Sequence, residues 1–311
     1  MRALRTIILY LLLLPCLAFS SGGKEQSSFR ISAIMPEDSV FWARIYDGME
    51  RGAEENGLSL SLYTYSTGER SDSQLEKVLL SKPDGILLCD SNYKERRGEL
   101  LMEALSKGIP VVLFDTDTAE KGLRSAFVGI DNIEAGRQAA RETAIRTDGP
   151  AVLVGANLEQ TSSASKQRLI GIQEGLEAQG REYVTEIFLG DEMERNTAMQ
   201  GLLRLYPEGT AYACFNSPNT ILMAQSVELL GLGDETFLIG FSEEDQAFSY
   251  VEDGVIDVLI TQDNFELGRK SAEALARILS GGETPREILI EPVIVTKDNL
   301  AYYWKDGARM R

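Results

Sequence analysis

Short apolar runs and longer stretches with apolar residues at helical spacing alternate along most of this chain. Residues 31–35, 58–65, 85–89 and 111–114 read as strands, and the last of these is apolar without a break, as in a strand buried on both faces. Between them, 40–56, 71–80 and 94–107 read as helices, the first with Ile45, Met49, Gly52 and Ala53 on one side. Asp115 closes the fourth run, and in an open α/β sheet loops at that end of a strand converge on a ligand crevice. Residues 126–130 read as a further strand with no helix before it. Such a break in the alternation is where a chain can leave one lobe and enter another. Asp131 then has the position of a helix N-cap, with Glu134 placed for a capping box.

The alternation begins again after that break. Helices are predicted over 132–146, 163–179, 193–206, 217–230 and 244–252, and strands over 151–155, 183–189, 211–215, 236–241 and 255–260. The halves also share residues: GMERGAEENG at 48–57 is echoed by GIQEGLEAQG at 171–180. Likewise Pro83-Asp84-Gly85 leading to Cys89 is echoed by Pro207-Glu208-Gly209 leading to Cys214. Gly52 and Gly175 are expected to let a helix approach the sheet, and Gly57 and Gly180 to end helices. The repeat implies two similar lobes with the natural site between them. A helix over 265–280 and a single strand over 288–295 are left over, followed by Tyr302, Tyr303 and Trp304. If the chain crosses back near Gln262, that helix can complete the first lobe.

Charge and composition narrow the function. A formal charge of −17 argues against nucleic acid or an anionic membrane as the main partner, since both need basic faces. The chain has no histidine, which removes Ser-His-Asp and Cys-His nucleophile pairs and HExxH zinc sites together. Phosphate-loop, GxSxG and metal-spaced signatures are also missing, and Asp115-Thr116-Asp117 is a weak metal pair. The expectation is therefore a binding protein without cofactor or metal, and not an enzyme. At the N-terminus, Arg2 and Arg5 precede an apolar run over 6–15 and then Ala18-Phe19-Ser20, the order of a secretory signal peptide cleaved after Ser20. Lipidation at Cys16 is the alternative, leaving the protein anchored outside the cytoplasm. Residues 1–28 are thus a signal peptide and flexible leader. Cys89 and Cys214 sit at the ends of apolar runs, as small buried thiols do.

Several motifs, in order, resemble one family. They are FWARIYDGMERGAEENG, IPVVLFD, VGIDNIEAGRQAA, Arg168 four residues before Ile172, FNS at 215–217, FLIGF followed by acidic residues, and ITQDNFELG. Together they resemble the ribose-binding group of type I periplasmic binding proteins, relatives of the lactose-repressor core, over about residues 30–297. The resemblance implies an α/β fold of two Rossmann-like, doubly wound parallel-sheet lobes joined by a three-crossover hinge. The lobes would be 29–130 plus 263–287 and 131–262 plus 288–311, with crossovers near 130–132, 262–264 and 288–292. It implies a monomer that closes over a sugar or sugar-like polyol and delivers it to an ABC-type importer. The alternative is a sensing subunit that presents the sugar to a membrane receptor or sensor kinase.

Site residues follow from the same resemblance. Phe41 and Trp42 would supply aromatic contacts, Asp115 would accept from sugar hydroxyls, Arg168 would donate, and Asn216 and Gln262 could do both. The residues allow other roles: Phe41 and Trp42 could pack the lobe, Asp115 could fix its own loop, and Asn216 could be a helix cap. The chain departs from the sugar pattern at four places. Thr116 stands where Arg is common, Ser242 where Asp is common, and Gly190 and Ser39 replace an aromatic and an amide. Ser39, Thr116 and Ser242 are therefore candidate ligand contacts that would select a ligand bulkier than ribose or differently substituted.

Overall fold

The computed structural model describes residues 28–37, 40–66, 71–89, 95–156, 163–188, 190–206, 209–305 and 308–309. The predicted signal segment through residue 27, and Ser39, lie outside the described residues. The first lobe runs β1 (Arg30–Pro36), α1 (Val40–Glu55), β2 (Ser59–Tyr65), α2 (Ser71–Ser81), β3 (Gly85–Leu88), α3 (Glu95–Ser106), β4 (Val111–Phe114) and β5 (Ala126–Ile130). The second runs α4 (Asn132–Arg146), β6 (Ala151–Ala156), α5 (Ser163–Ala178), β7 (Tyr183–Phe188), α6 (Glu192–Leu205), β8 (Ala211–Cys214), α7 (Ser217–Leu230), β9 (Phe237–Phe241), α8 (Asp245–Asp253) and β10 (Val258–Thr261). The chain then returns as α9 (Asn264–Leu279) and β11 (Glu287–Ile290), and ends in β12 (Val293–Val295) and a short tail.

Two six-stranded sheets result, ordered β11-β5-β4-β3-β1-β2 and β12-β10-β9-β8-β6-β7. The first is parallel throughout, and in the second only β12 runs antiparallel, on the edge beside β10. Every residue of β3, β4, β5, β8, β9 and β10 is buried, which is why these strands read as unbroken apolar runs. Cys89 and Cys214 are buried in different lobes. The three passages between lobes occur at Asp131, at Gln262 and Asp263, and at Glu291 and Pro292.

The third passage corrects the expectation of one strand over 288–295 lying wholly in the second lobe. β11 pairs in parallel with β5, so residues 288–290 belong to the first sheet, and only β12 joins the second. The apolar pattern continues through both strands. Pro292, which has no N–H to donate, separates them.

The repeated glycines also do something other than expected. Gly52 faces α9, where an added Cβ would come 2.6 Å from the Arg269 carbonyl, and Gly175 faces Ala140 of α4. A Cβ on Gly48 or Gly268 would likewise collide with the backbone of the facing helix, α9 or α1, and one on Gly136 or Gly171 with that of α5 or α4. These glycines therefore bring helix onto helix, once in each lobe, rather than helix onto sheet. The helices that enter each lobe from the hinge begin alike: Asp131-Asn132-Ile133-Glu134 and Asp263-Asn264-Phe265-Glu266. Asp131 caps α4 by accepting from the Glu134 N–H, and Asp263 caps α9 through Glu266, each at 2.9 Å.

Candidate functional site

The ends of the buried strands and the starts of the following helices meet between the lobes, where a doubly wound fold places its crevice. A cavity of about 530 Å³ lies there. Phe41 at the start of α1 and Asp115 after β4 line it from the first lobe. Arg168 of α5, Ser217, Phe241 at the end of β9, Ser242 and Glu243 line it from the second, and Gln262 lines it at the crossing. Glu244 and Asp245 stand exposed beside Glu243.

Asp115 has φ 63°, in the left-handed region, which an Asp tolerates better than most residues but which still strains the backbone. Its Oδ1 accepts from Gln262 Nε2 at 3.2 Å and its Oδ2 from the Thr116 hydroxyl at 3.0 Å. Burial pushes the Asp115 pKa up, and the hydrogen bonds from Gln262 and Thr116 and the charge of Arg168 pull against that. Arg168 donates from Nε to Asn132 Oδ1 at 2.8 Å, and its guanidinium lies 4.8 Å from the centre of the Phe241 ring. Burial lowers its pKa, while the charges of Glu243 and Asp115 raise it. Glu243 accepts from the Gln262 backbone N–H at 2.9 Å and from the Thr261 hydroxyl.

Of the residues expected to touch ligand, Phe41, Asp115, Arg168, Ser242 and Gln262 come together on this cavity. Trp42 does not line it. Its ring stands edge-on to Phe41, with centroids 4.5 Å apart, and edge-on to Phe114 at 6.5 Å, so it packs the lobe behind Phe41. Asn216 caps α7, accepting from the Asn219 N–H at 3.1 Å, and its neighbour Ser217 takes the place on the cavity wall. Thr116 lines a second cavity of about 410 Å³, which it shares with Asp115, Asn132 and Gln167. Asp117 of the weak metal pair is held by Arg124 at 2.6 Å and by Lys121. Its carboxylate serves the loop.

Three positions at the candidate site escaped the sequence reading. Asn132 orients Arg168, Phe241 carries its plane, and Glu243 places a carboxylate on the wall. Glu243 puts a carboxylate on the cavity wall one residue after Ser242, the position where Asp is common in the pattern the chain resembles. Ser242 itself is 3% exposed and bonded, with its hydroxyl 2.8 Å from that of Ser217 and accepting from the Glu244 N–H at 3.1 Å. The acidic residues after FLIGF were the signal available for Glu243.

Residues 32–283 match the family model described as a periplasmic binding protein domain. The chain is 21% identical over 298 residues to the ribose import binding protein RbsB of Salmonella typhimurium, covering 96% of this chain and 99% of that one. Its fold is similar to that of GanP, a glucose-galactose binding protein from Geobacillus stearothermophilus, at 22% identity and a TM-score of 0.76, over 88% of this chain and 99% of that one. It is also similar to the XylFII–LytSN complex, at 22% identity and a TM-score of 0.72, over 87% of this chain and 98% of that one.

Proposed function

The chain belongs to the periplasmic binding protein family, and from that premise we propose that it captures a sugar or sugar-like polyol between its lobes and delivers it to an ABC-type importer. Family members are solute-binding proteins that work outside the cytoplasm, not enzymes. The observation that carries the sugar reading is the make-up of the cavity wall. Phe41 offers an aromatic face, while Asp115, Arg168 and Gln262 offer planar polar groups from both lobes and the hinge. A sugar presents many hydroxyls around an apolar ring face, so it needs both kinds of surface. In this reading Asp115 accepts from ligand hydroxyls, and the Arg168 nitrogens not committed to Asn132 donate to them.

Denaturing freshly purified protein and identifying the released small molecule by mass spectrometry tests the ligand class. Release of a sugar or polyol is expected, and a ligand without several hydroxyls would overturn the reading. A second reading, presentation of the ligand to a membrane receptor, is favoured by the likeness to XylFII in its complex with LytSN. Uptake of labelled ligand in a strain lacking the protein separates the two. Loss of uptake supports delivery to an importer, and unchanged uptake supports sensing.

A further inference from the structure

The cleft does not end at Asp115. That residue lines both the cavity of about 530 Å³, with Phe41 and Arg168, and the second one of about 410 Å³, with Asp131 of the first hinge passage and Leu289 of β11. Its carboxylate is divided between the two. Oδ1 accepts at 3.2 Å from Gln262, which lines the main cavity, and Oδ2 accepts at 3.0 Å from Thr116, which lines the second. The second lobe repeats the arrangement. Arg168 lines the main cavity and donates at 2.8 Å to Asn132, which lines the second. Polar links from both lobes thus run from one cavity to the other.

Each cavity falls within the roughly 300–1,000 Å³ that small-molecule sites occupy. The second also has the two kinds of surface found in the first. Phe127, Ile130 and Leu289 give it an apolar side, and Leu289 is 50% exposed there although it is a large aliphatic residue. Thr116, Asn132 and Gln167 give it a hydroxyl and two amides, groups that both donate and accept. Apart from Asp115, the charged residues around it are engaged in the fold. Asp131 caps α4, Asp117 is held by Arg124 and Lys121, and Lys121 also reaches Glu287 at 3.5 Å. An ionised substituent would find no free counter-charge in this cavity, and a wholly apolar one would leave the hydroxyl and amides facing it unmatched. A second sugar ring matches both sides.

We propose, resting on the sugar-binding reading above, that the ligand is a disaccharide, with one ring in the main cavity and the other in the second. The first ring lies against Phe41 and accepts from Arg168. The linkage passes Asp115, the residue common to both cavities. The second ring lies against Leu289, and its hydroxyls meet Asn132, Thr116 and Gln167. A single ring fills one cavity and leaves the contacts of the other unused, so the two-ring ligand binds more tightly.

Calorimetry on purified protein, stripped of bound molecules by unfolding and refolding, tests the proposal. The probes are disaccharides, each with its component monosaccharides: lactose and melibiose with galactose and glucose; maltose, cellobiose and trehalose with glucose; and xylobiose with xylose. At least one disaccharide is expected to bind about tenfold or more tighter than either of its components, a difference of about 1.4 kcal/mol. Leu289→Trp, with folding checked by circular dichroism, narrows the second cavity from a half-exposed position and should remove that advantage. An advantage undiminished in the folded variant would overturn the placement of the second ring. The comparison on the unaltered protein stands even if the variant does not fold. Monosaccharides binding as tightly as the disaccharides in every set would overturn the disaccharide and leave the sugar reading in place. Binding by no member of any set would overturn both.

Discussion

The Asp115 carboxylate accepts from the Gln262 side chain at 3.2 Å, joining the end of β4 in the first lobe to the residue at which the chain crosses back from the second. Asp115 holds this position with a left-handed backbone, φ 63°, and with burial opposing its charge. Strain and desolvation at one residue are tolerable where a ligand relieves them, and both weigh on the empty protein.

Asp115→Asn should therefore stabilise the ligand-free protein at neutral pH. Asn tolerates the left-handed backbone, can still accept from Gln262, and carries no charge to desolvate. The sign follows from linkage. The folded-state pKa of Asp115 is raised above its ordinary 3.8, so between those two values the folded state binds more protons than the unfolded. The penalty is complete above the folded pKa and is relieved as pH falls toward 3.8. The stability advantage of Asp115→Asn over the unaltered protein should shrink across that window. Thermal unfolding as a function of pH measures it, and an advantage that grows on acidification would contradict the account.

Ligand affinity should separate neighbouring residues. Arg168→Ala removes charge-assisted hydrogen bonds worth roughly 1.5–3 kcal/mol, so affinity should fall about tenfold to a hundredfold or more. Phe41→Ala should also lower affinity, because Phe41 lines the cavity. Trp42→Ala should mainly lower the melting temperature, because its ring packs against Phe41 and Phe114 inside the lobe. Calorimetry and thermal unfolding on the three variants check the contrast.

The Phe41 and Trp42 pair also shows where sequence reading stops. Adjacent residues on a helix point about 100° apart, so one of two consecutive aromatics faces the cleft, and the apolar pattern does not say which. The strands were legible because burial on both faces leaves unbroken apolar runs, and Asp115 and Gln262 stand just beyond the ends of two of them. The split of 288–295 between two sheets was hidden for the same reason: both halves are apolar, and only Glu291 and Pro292 marked the joint. Asn132 was not legible as a partner of Arg168, since the hydrogen bond joins residues of two different helices that lie 36 positions apart in sequence. Ser39 lies outside the described residues.

Helix contact in each lobe depends on bare backbone. Gly48→Ala would drive a methyl into the Phe265 carbonyl of α9, and Gly136→Ala would do the same to the Arg168 carbonyl of α5. Each should destabilise by about 1–3 kcal/mol or more through overpacking. Gly136→Ala should also weaken ligand binding, because the backbone it displaces carries Arg168. Denaturant unfolding and calorimetry on the two variants distinguish a loss of stability alone from a loss of both.

Ligand should close the lobes about the three hinge passages. Closure is expected to reduce the radius of gyration in solution scattering. Ligand at 100 times its dissociation constant should add about 2.7 kcal/mol of stability. A tight ligand that changed neither scattering nor melting temperature would rule out a closing cleft.

Thr116 and Ser242 make unequal contributions to selectivity, and a set of four proteins can show it. If charge had been lost from both lobes, restoring both through Thr116→Arg with Ser242→Asp would be needed for good binding of ribose or another neutral sugar. Glu243 already supplies the carboxylate of the second lobe, so the missing partner is the cation. Thr116→Arg alone should place a guanidinium beside Asp115, satisfy the spare acceptors there and raise affinity for neutral sugars. Ser242→Asp should do the opposite of help. The side chain is 3% exposed and set among Ser217, Glu244 and Glu243, so a further carboxylate there meets like charge in a closed space. Calorimetry with ribose and with other neutral sugars, on the unaltered protein, both single variants and the double variant, measures these effects. The expected order for neutral sugars puts Thr116→Arg first, and a double variant that bound them better than Thr116→Arg would show that Ser242, and not Glu243, is the position that governs the charge of the second lobe.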